Sequence, residues 1–354
     1  MRKVIFVLVL GTCCGAPAAV RADTIKFVDG RRAVGSVTVT DETLQKVEYR
    51  STHMRQMQSY PADNVSEVIY TEPPEEYELA QENLELQAFE DAAKFFKLAA
   101  TDASRQKGLA AKCLFLAGEA YRRGGLVDQA VETFADLIQS QPESRYVPYA
   151  SLQRGMALAQ SGDARRAKAA FESLKTEAAS NGYGDRWGFE ADLQIAVLGE
   201  KENPTGALET YQRLAGATEN RFPSVSNQAK LRIGRVFVAT GQFEKAQQFF
   251  RTILENRAAS SREIVAGAYN GLGSALRNDA KATEADLKEA LYHHLRVIVS
   301  YPDVVGEQAE ALYSAGKCFQ QIPGEDSLNR SRLLLYRCIN EYPDSPWALE
   351  AQKG

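Results

Sequence analysis

Three sets of residues in this 354-residue chain are of types that can do chemistry. The adjacent pair His293-His294 offers imidazoles for a metal, but neighbours on a helix diverge by about 100°, so they cannot chelate as an i, i+4 pair can. His294 also falls at an aromatic position of a recurring phrase described below, which favours a packed histidine. Gly271-Leu272-Gly273 has the look of a dinucleotide loop, yet it lies in a helical stretch without the preceding strand that such a loop requires. Close helix packing is the expected use of these glycines. Beyond the first 22 residues the cysteines are Cys113, Cys318 and Cys338, an odd number that allows at most one internal pair. Cys318 and Cys338 lie in consecutive helices of one hairpin, where either a disulfide or two buried thiols would fit. Acidic residues are spread over solvated faces, and no spaced carboxylate pair stands out. No catalytic residue, cofactor site or metal site is expected, and the chain reads as a binder rather than an enzyme.

The elements that would position a binding surface follow from composition and pattern. Alanine occurs 50 times, which favours helix and lets helices approach closely. With 42 Lys+Arg against 46 Asp+Glu the net charge is −4, so no basic excess exists for nucleic acid. Arg2 and Lys3, the apolar run Val4 to Leu10 and the small-residue stretch Gly11 to Ala22 have the layout of a secretory signal peptide, residues 1–22, cut after Ala22. The run is too short to span a bilayer, which takes about 20 apolar residues. Losing Arg2, Lys3 and Arg21 would move the balance to −7. The expected location is exported, in the periplasm or cell envelope, without a transmembrane segment and with peripheral membrane association left open. Leu10-Gly11-Thr12 before Cys13 and Cys14 only loosely fits a lipoprotein signal, so ordinary cleavage is favoured over lipid anchoring there.

From residue 23 to 72 the texture is that of short strands. Thr24 to Val28 runs into the turn signal Asp29-Gly30, Ala33 to Val39 alternates, and Leu44 to Tyr49 and Val65 to Tyr70 follow. Four or five strands predict a small all-β module of SH3-like or Sm-like type. Pro73-Pro74 closes it. From residue 75 to 350 the phrase Ala-x-x-x-aromatic recurs as Ala92/Phe96, Ala130/Phe134, Ala167/Phe171, Ala207/Tyr211 and Ala246/Phe250, with degenerate copies Ala290/His294 and Ser331/Leu335. The period is of helix-hairpin size, which predicts a mainly α chain: seven hairpins stacked as an α-solenoid. In each, a small residue of the second helix admits the first, and the aromatic one turn later fills the gap to the next hairpin. An insertion is expected at Asp279 to Asp286. The Gly-rich stretch Asn181 to Gly188, with Tyr183 and Trp187, fits either a contact loop or a cover over the joint between repeats.

Gly118, Tyr121, Ala130, Phe134 and Pro142 match in spacing the signature of the tetratricopeptide repeat, and Gly155/Ala167/Phe171, Gly234/Phe237/Ala246/Phe250 and Gly316/Phe319 repeat parts of it. The chain resembles that family over about residues 75 to 350, with a period above the family's usual one. The hairpin exits Gln141-Pro142-Glu143-Ser144, Tyr301-Pro302-Asp303 and Tyr342-Pro343-Asp344-Ser345 are similar in style to the exported bacterial BamD-type and YbgF-type envelope proteins.

The resemblance implies a superhelix whose concave wall is lined by the first helix of each repeat. Counted from the signature glycine, the wall positions are Lys112, Phe115, Glu119, Arg122 and Arg123, then Tyr149, Leu152 and Met156, then Leu231, Arg235, Tyr313 and Lys317. Mixed aromatic and basic groups suit a peptide with apolar anchors and some acidic residues. Glu119 and Met156 stand where an Asn would be needed to clamp a terminal carboxylate, so chaperone-tail binding is disfavoured. The expected function is a non-enzymatic scaffold that binds envelope proteins on this wall. The alternative is an assembly subunit that self-associates through the solenoid ends and the β module.

Overall fold

The computed structural model describes residues 22–28, 30–51, 56–257, 260–343 and 345–353. The leader-like segment with Cys13 and Cys14, residue Asp29 of the first turn signal and Asp344 of the last hairpin exit lie outside the described residues. Five strands come first: β1 (Asp23–Phe27), β2 (Val34–Glu42), β3 (Lys46–Ser51), β4 (Met57–Pro61) and β5 (Val65–Ile69). They form one antiparallel sheet in the order β4-β3-β2-β1-β5, with a 3-10 turn at Ala62–Asn64 between the last two. Alternation sends Ile25, Phe27, Val37, Val47, Tyr49, Val65 and Val68 into a single apolar cluster. The fifth strand, β4, lies in a stretch whose polar texture hid it.

After Pro74 the described residues are mostly helix and turn. The helices are α1 (Glu75–Glu85), α2 (Phe89–Asp102), α3 (Lys107–Arg123), α4 (Val127–Ser140), α5 (Val147–Gln160), α6 (Ala164–Ser180), α7 (Asp185–Gly199), α8 (Pro204–Thr218), α9 (Pro223–Ala239), α10 (Phe243–Glu255), α11 (Arg262–Asn278), α12 (Glu284–Ser300), α13 (Val305–Gln321), α14 (Ser327–Glu341) and α15 (Pro346–Gln352). Successive pairs form seven hairpins among the described residues, and the short α15 packs on α13 and α14. The recurring phrase falls on the even-numbered helices, and each of its small and large members is buried. The aromatic ring explains the glycine of the facing helix. A Cβ at Gly118, Gly155 or Gly234 would strike Phe134, Phe171 or Phe250 respectively. Gly273 stands in the same relation to His294, and Gly316 to Leu335. The insertion is a short loop ahead of α12, which opens on a capping box between Thr283 and Asp286.

Odd-numbered helices touch one another in succession, α3 to α5 to α7 to α9 to α11 to α13, and make the inner layer. The curvature is not uniform. In the C-terminal half Arg235 of α9 reaches Glu307 and Glu310 of α13 across the intervening α11, which happens only on the inside of a tight bend. Every residue of α11 from Ile264 to Leu276 is buried. That segment has no charged side chain, as a helix enclosed on all sides requires. Its glycines Gly267, Gly271 and Gly273 lie against Leu231, Phe250 and His294, so the glycine pair is a packing device.

Candidate binding surface

The inner wall divides into an open N-terminal part, a part covered by the β module, and a closed C-terminal part. Along α3 and α5 the side chains of Phe115, Glu119, Arg122, Tyr149, Leu152 and Met156 are half-buried and Arg123 is exposed. Phe115 lies 6.1 Å, centroid to centroid, from Tyr149, and Tyr149 lies 4.5 Å edge-on from Trp187 at the start of α7. An aromatic ladder thus joins three consecutive inner helices. Trp187 and Tyr183 are both buried, so the Gly-rich stretch covers the joint between α6 and α7.

Charge on the open part is mostly basic. Arg122 has no hydrogen-bond or ion-pair partner among the described residues, and its Nε is out of water. Arg123 packs its guanidinium over Phe89 at 4.7 Å. Glu119 lies near them, and burial raises its carboxyl above the usual range despite the attraction of Arg122 and Arg123. A half-buried guanidinium whose Nε has no hydrogen-bond partner is an arrangement that a partner's acid would relieve.

Lys112 is committed elsewhere. Its Nζ donates to the carbonyl of Val68 at 2.8 Å and stands 3.6 Å from Glu67, both on the edge strand β5. Arg145, just before α5, donates to Glu42 Oε2 at 3.2 Å and to the carbonyl of Val65, while the Tyr70 hydroxyl donates to Glu42 Oε1. The Glu42 and Arg145 side chains are almost fully removed from water. Leu44 N–H donates to the Glu143 carbonyl at 2.8 Å, and Ala62 and Asp63 border a small cleft with Pro148, Tyr149, Tyr183 and Trp187. The β module therefore sits across the starts of α3, α5 and α7, and its edge carbonyls are capped by solenoid cations.

In the closed part, Arg235 donates to Glu307 Oε1 and Oε2 at 2.9 and 3.0 Å and to Glu310 Oε2 at 3.0 Å. Asn270 donates to Glu307 Oε2 at 3.0 Å, and its Oδ1 lies 3.1 Å from His294 Nδ1. Leu231 is buried against Gly267 of α11. His294 is wholly buried, and burial together with Arg277 and His293 holds it well below its ordinary pKa. His293 stacks on Tyr269 instead of turning toward its neighbour. At the far end Tyr313 packs on Trp347 at 5.4 Å, and Lys317 is half-buried. Cys113, Cys318 and Cys338 are free buried thiols, with Cys338 Sγ donating to the Ala309 carbonyl.

The twelve wall residues thus do not form one surface. Phe115, Glu119, Arg122, Arg123, Tyr149, Leu152 and Met156 lie together, Lys112 serves the β module, Leu231 and Arg235 are engaged with α11 and α13 along one side of a separate cleft, and Tyr313 and Lys317 stand apart. Reasoning from spacing missed Arg145, Glu42, Glu307, Glu310 and Asn270; the uncharged run in α11 was the one signal of the closed turn.

Among the described residues no group of three metal-ligating side chains comes together, and no helix is long and apolar enough to cross a membrane. The family model described as "Tetratricopeptide repeat-like domain" matches residues 102–274. That stretch is a tetratricopeptide repeat-like domain. Such domains are typical of protein-interaction scaffolds. Among solved structures, the chain is similar to a tetratricopeptide repeat protein from Parabacteroides merdae, at 14% identity and a TM-score of 0.49, over 79% of this chain and 98% of that one. It is also similar to the Rap conjugation gene regulator of the plasmid pLS20, solved in complex with the Phr* peptide, at 16% identity and a TM-score of 0.47, over 78% and 74%. A third similarity, to the type IV pilus biogenesis factor PilW, has 16% identity and a TM-score of 0.32, over 78% and 96%. The search of curated proteins returned no match.

Proposed function

We propose that this chain is a non-enzymatic scaffold of the cell envelope that holds a partner protein on the open inner wall of α3 and α5. The observation that carries the reading is the juxtaposition of half-exposed apolar groups, Phe115, Leu152 and Met156, with the unpartnered Arg122 and with Arg123. An extended or helical segment with apolar anchors and one or two carboxylates complements that surface. The tetratricopeptide repeat-like domain supports a binding role, and the leader-like N-terminus supports an envelope setting. The β module braces three of the inner helices and keeps the wall preformed, which lowers the ordering cost of binding.

The test is a photocrosslinking amino acid placed at Phe115 or Met156 in the producing cell, identification of the captured protein, and titration of that purified protein against the chain. Phe115→Ala combined with Arg122→Glu should weaken binding about a hundredfold or more, as loss of an aromatic anchor and reversal of a half-buried charge demand. A captured protein bound equally well by the double variant would sink the reading.

A further inference from the structure

The two edges of the five-stranded sheet are treated differently. At β5 the carbonyls of Val65 and Val68 accept from Arg145 and Lys112 of the solenoid. At the opposite end of the sheet β4 has no such cover among the described residues, and Met57, Ser59 and Pro61 are exposed. The strand Met57–Pro61 carries no charged side chain. It pairs with β3 in unbroken register from Lys46↔Pro61 to Arg50↔Met57, whereas each of the other pairings in the sheet has an irregularity. Charges and bulges are the usual means of keeping an edge from pairing, so β4 is left open as a template.

The direction of its main-chain groups follows from the bonds beside it. Lys46 N–H donates to Thr43 Oγ1 and the Lys46 carbonyl accepts from Thr43 N–H, so both face away from β4. Ala62 N–H donates to the Gln45 carbonyl at 2.9 Å. In an antiparallel ladder the bonded pairs then alternate as Val47 with Tyr60 and Tyr49 with Gln58. Met57, Ser59 and Pro61 therefore turn their main-chain groups outward. Pro61 has no N–H to leave unpaired there. The outward donors are the N–H groups of Met57 and Ser59, and the outward acceptors are the carbonyls of all three.

We propose that β4 pairs antiparallel with β4 of a second copy of this chain, about a two-fold axis at Ser59. In that register the strands overlap along their whole length: Ser59 meets its counterpart, Met57 meets Pro61 and Gln58 meets Tyr60. Each Ser59 N–H reaches the other copy's Ser59 carbonyl, and each Met57 N–H reaches a Pro61 carbonyl. Every outward donor is thus bonded, and no like charges meet. The Pro61 ring covers Met57, which is otherwise 46% exposed. Gln58 and Tyr60 continue the face on which Tyr60 already stacks on Tyr49. A strand of an unrelated protein would find the same groups, yet an uncharged edge gives it no preferred sequence, whereas the edge complements itself. The inference goes beyond the inner-wall reading and stands without it, since the β module alone forms the edge.

The experiment is sedimentation velocity of the purified chain over a wide range of concentration, with cysteine variants tested under oxidising conditions. The unaltered chain should exchange reversibly between monomer and dimer. Ser59→Pro removes both central donors and should weaken the dimer about tenfold or more. Met57→Lys sets a charge on the edge and should weaken it as well, both with unchanged circular dichroism because the two side chains are exposed. Ser59→Cys should give a disulfide-linked dimer, since facing Cα atoms about 5.5 Å apart suit that bond. Thr38→Cys, exposed on β2 away from the edge, should not, and Cys113, Cys318 and Cys338 are buried. A chain that is monomeric at every concentration would overturn the proposal, as would a dimer that survives Ser59→Pro unchanged and leaves Ser59→Cys unlinked.

Discussion

At the scale of single residues, the fold rests on one recurring exchange: a glycine gives up its side chain so that a neighbouring ring can occupy the space. Gly155→Ala puts a methyl into the Phe171 ring, and because that ring is itself fully buried it has no room to retreat. Overpacking of this kind costs about 1–3 kcal/mol, which in a chain of this size lowers Tm by several degrees. A calorimetric Tm equal to that of the unaltered protein would show that the ring moves freely. Glu42 makes the opposite case. Glu42→Ala strands Arg145 in a buried site and should destabilise by about 3–5 kcal/mol, seen as early proteolysis between the β module and α1 before the solenoid is cut. The first of these contacts was legible in the sequence, because Gly155, Ala167 and Phe171 stand at fixed distances along one hairpin. The second was not, because Glu42 and Arg145 are brought together by the docking of two modules, and no local spacing records that.

At the scale of elements, the same contrast separates what helix periodicity can say from what it cannot. Position within a repeat places Leu231 and Arg235 on the inner layer, and they are there. Whether that layer faces a groove or a neighbouring helix depends on how far the solenoid bends, a property of several repeats at once. At α9, α11 and α13 the bend closes, and Arg235 serves two carboxylates instead of a partner. The closure has a pH signature. Burial raises the Glu310 carboxyl above its ordinary value; Arg235 opposes the shift, adjacent Glu307 adds to it, and Arg277 and Arg232 oppose it less. A carboxyl raised on folding contributes stability below its ordinary pKa and loses it as pH rises through the folded value. The Tm of the unaltered chain should therefore fall relative to that of Glu310→Gln as pH is raised from about 4.5 toward neutrality. His294, held neutral, acts in the other direction below about 6.5 in both proteins and cancels in the difference. A difference in Tm that is flat across this range would mean that Glu310 ionises in the fold as easily as in water.

At the scale of the whole molecule, the seven hairpins are not equivalent, although the phrase that generates them is nearly the same in each. Stability in a repeat array is the sum of each hairpin and its contacts with its neighbours, so uniform repeats would fray evenly from both ends. Here α11 is enclosed by α9, α10, α12 and α13, while a groove of about 730 Å³ opens between α8, α9 and α10 and leaves Phe249 and Ile253 partly exposed on its wall. Opening the chain at α11 breaks the Arg235, Glu307 and Asn270 network together with the apolar core around Phe250, whereas opening at α10 breaks mainly the face that carries Phe250. Amide exchange should consequently be slowest from Ile264 to Leu276, faster in α10, and fastest in α1 and α15 at the ends. Arg235→Met should bring the rates of α11 toward those of its neighbours without changing those of α3 to α5, because the inner wall there is braced separately by the β module through Lys112 and Arg145. Slowest exchange in a terminal hairpin, or a loss of protection in α3 on changing Arg235, would mean that the two halves of the solenoid are one cooperative unit and that the closed turn does not isolate the open wall from the C-terminal end.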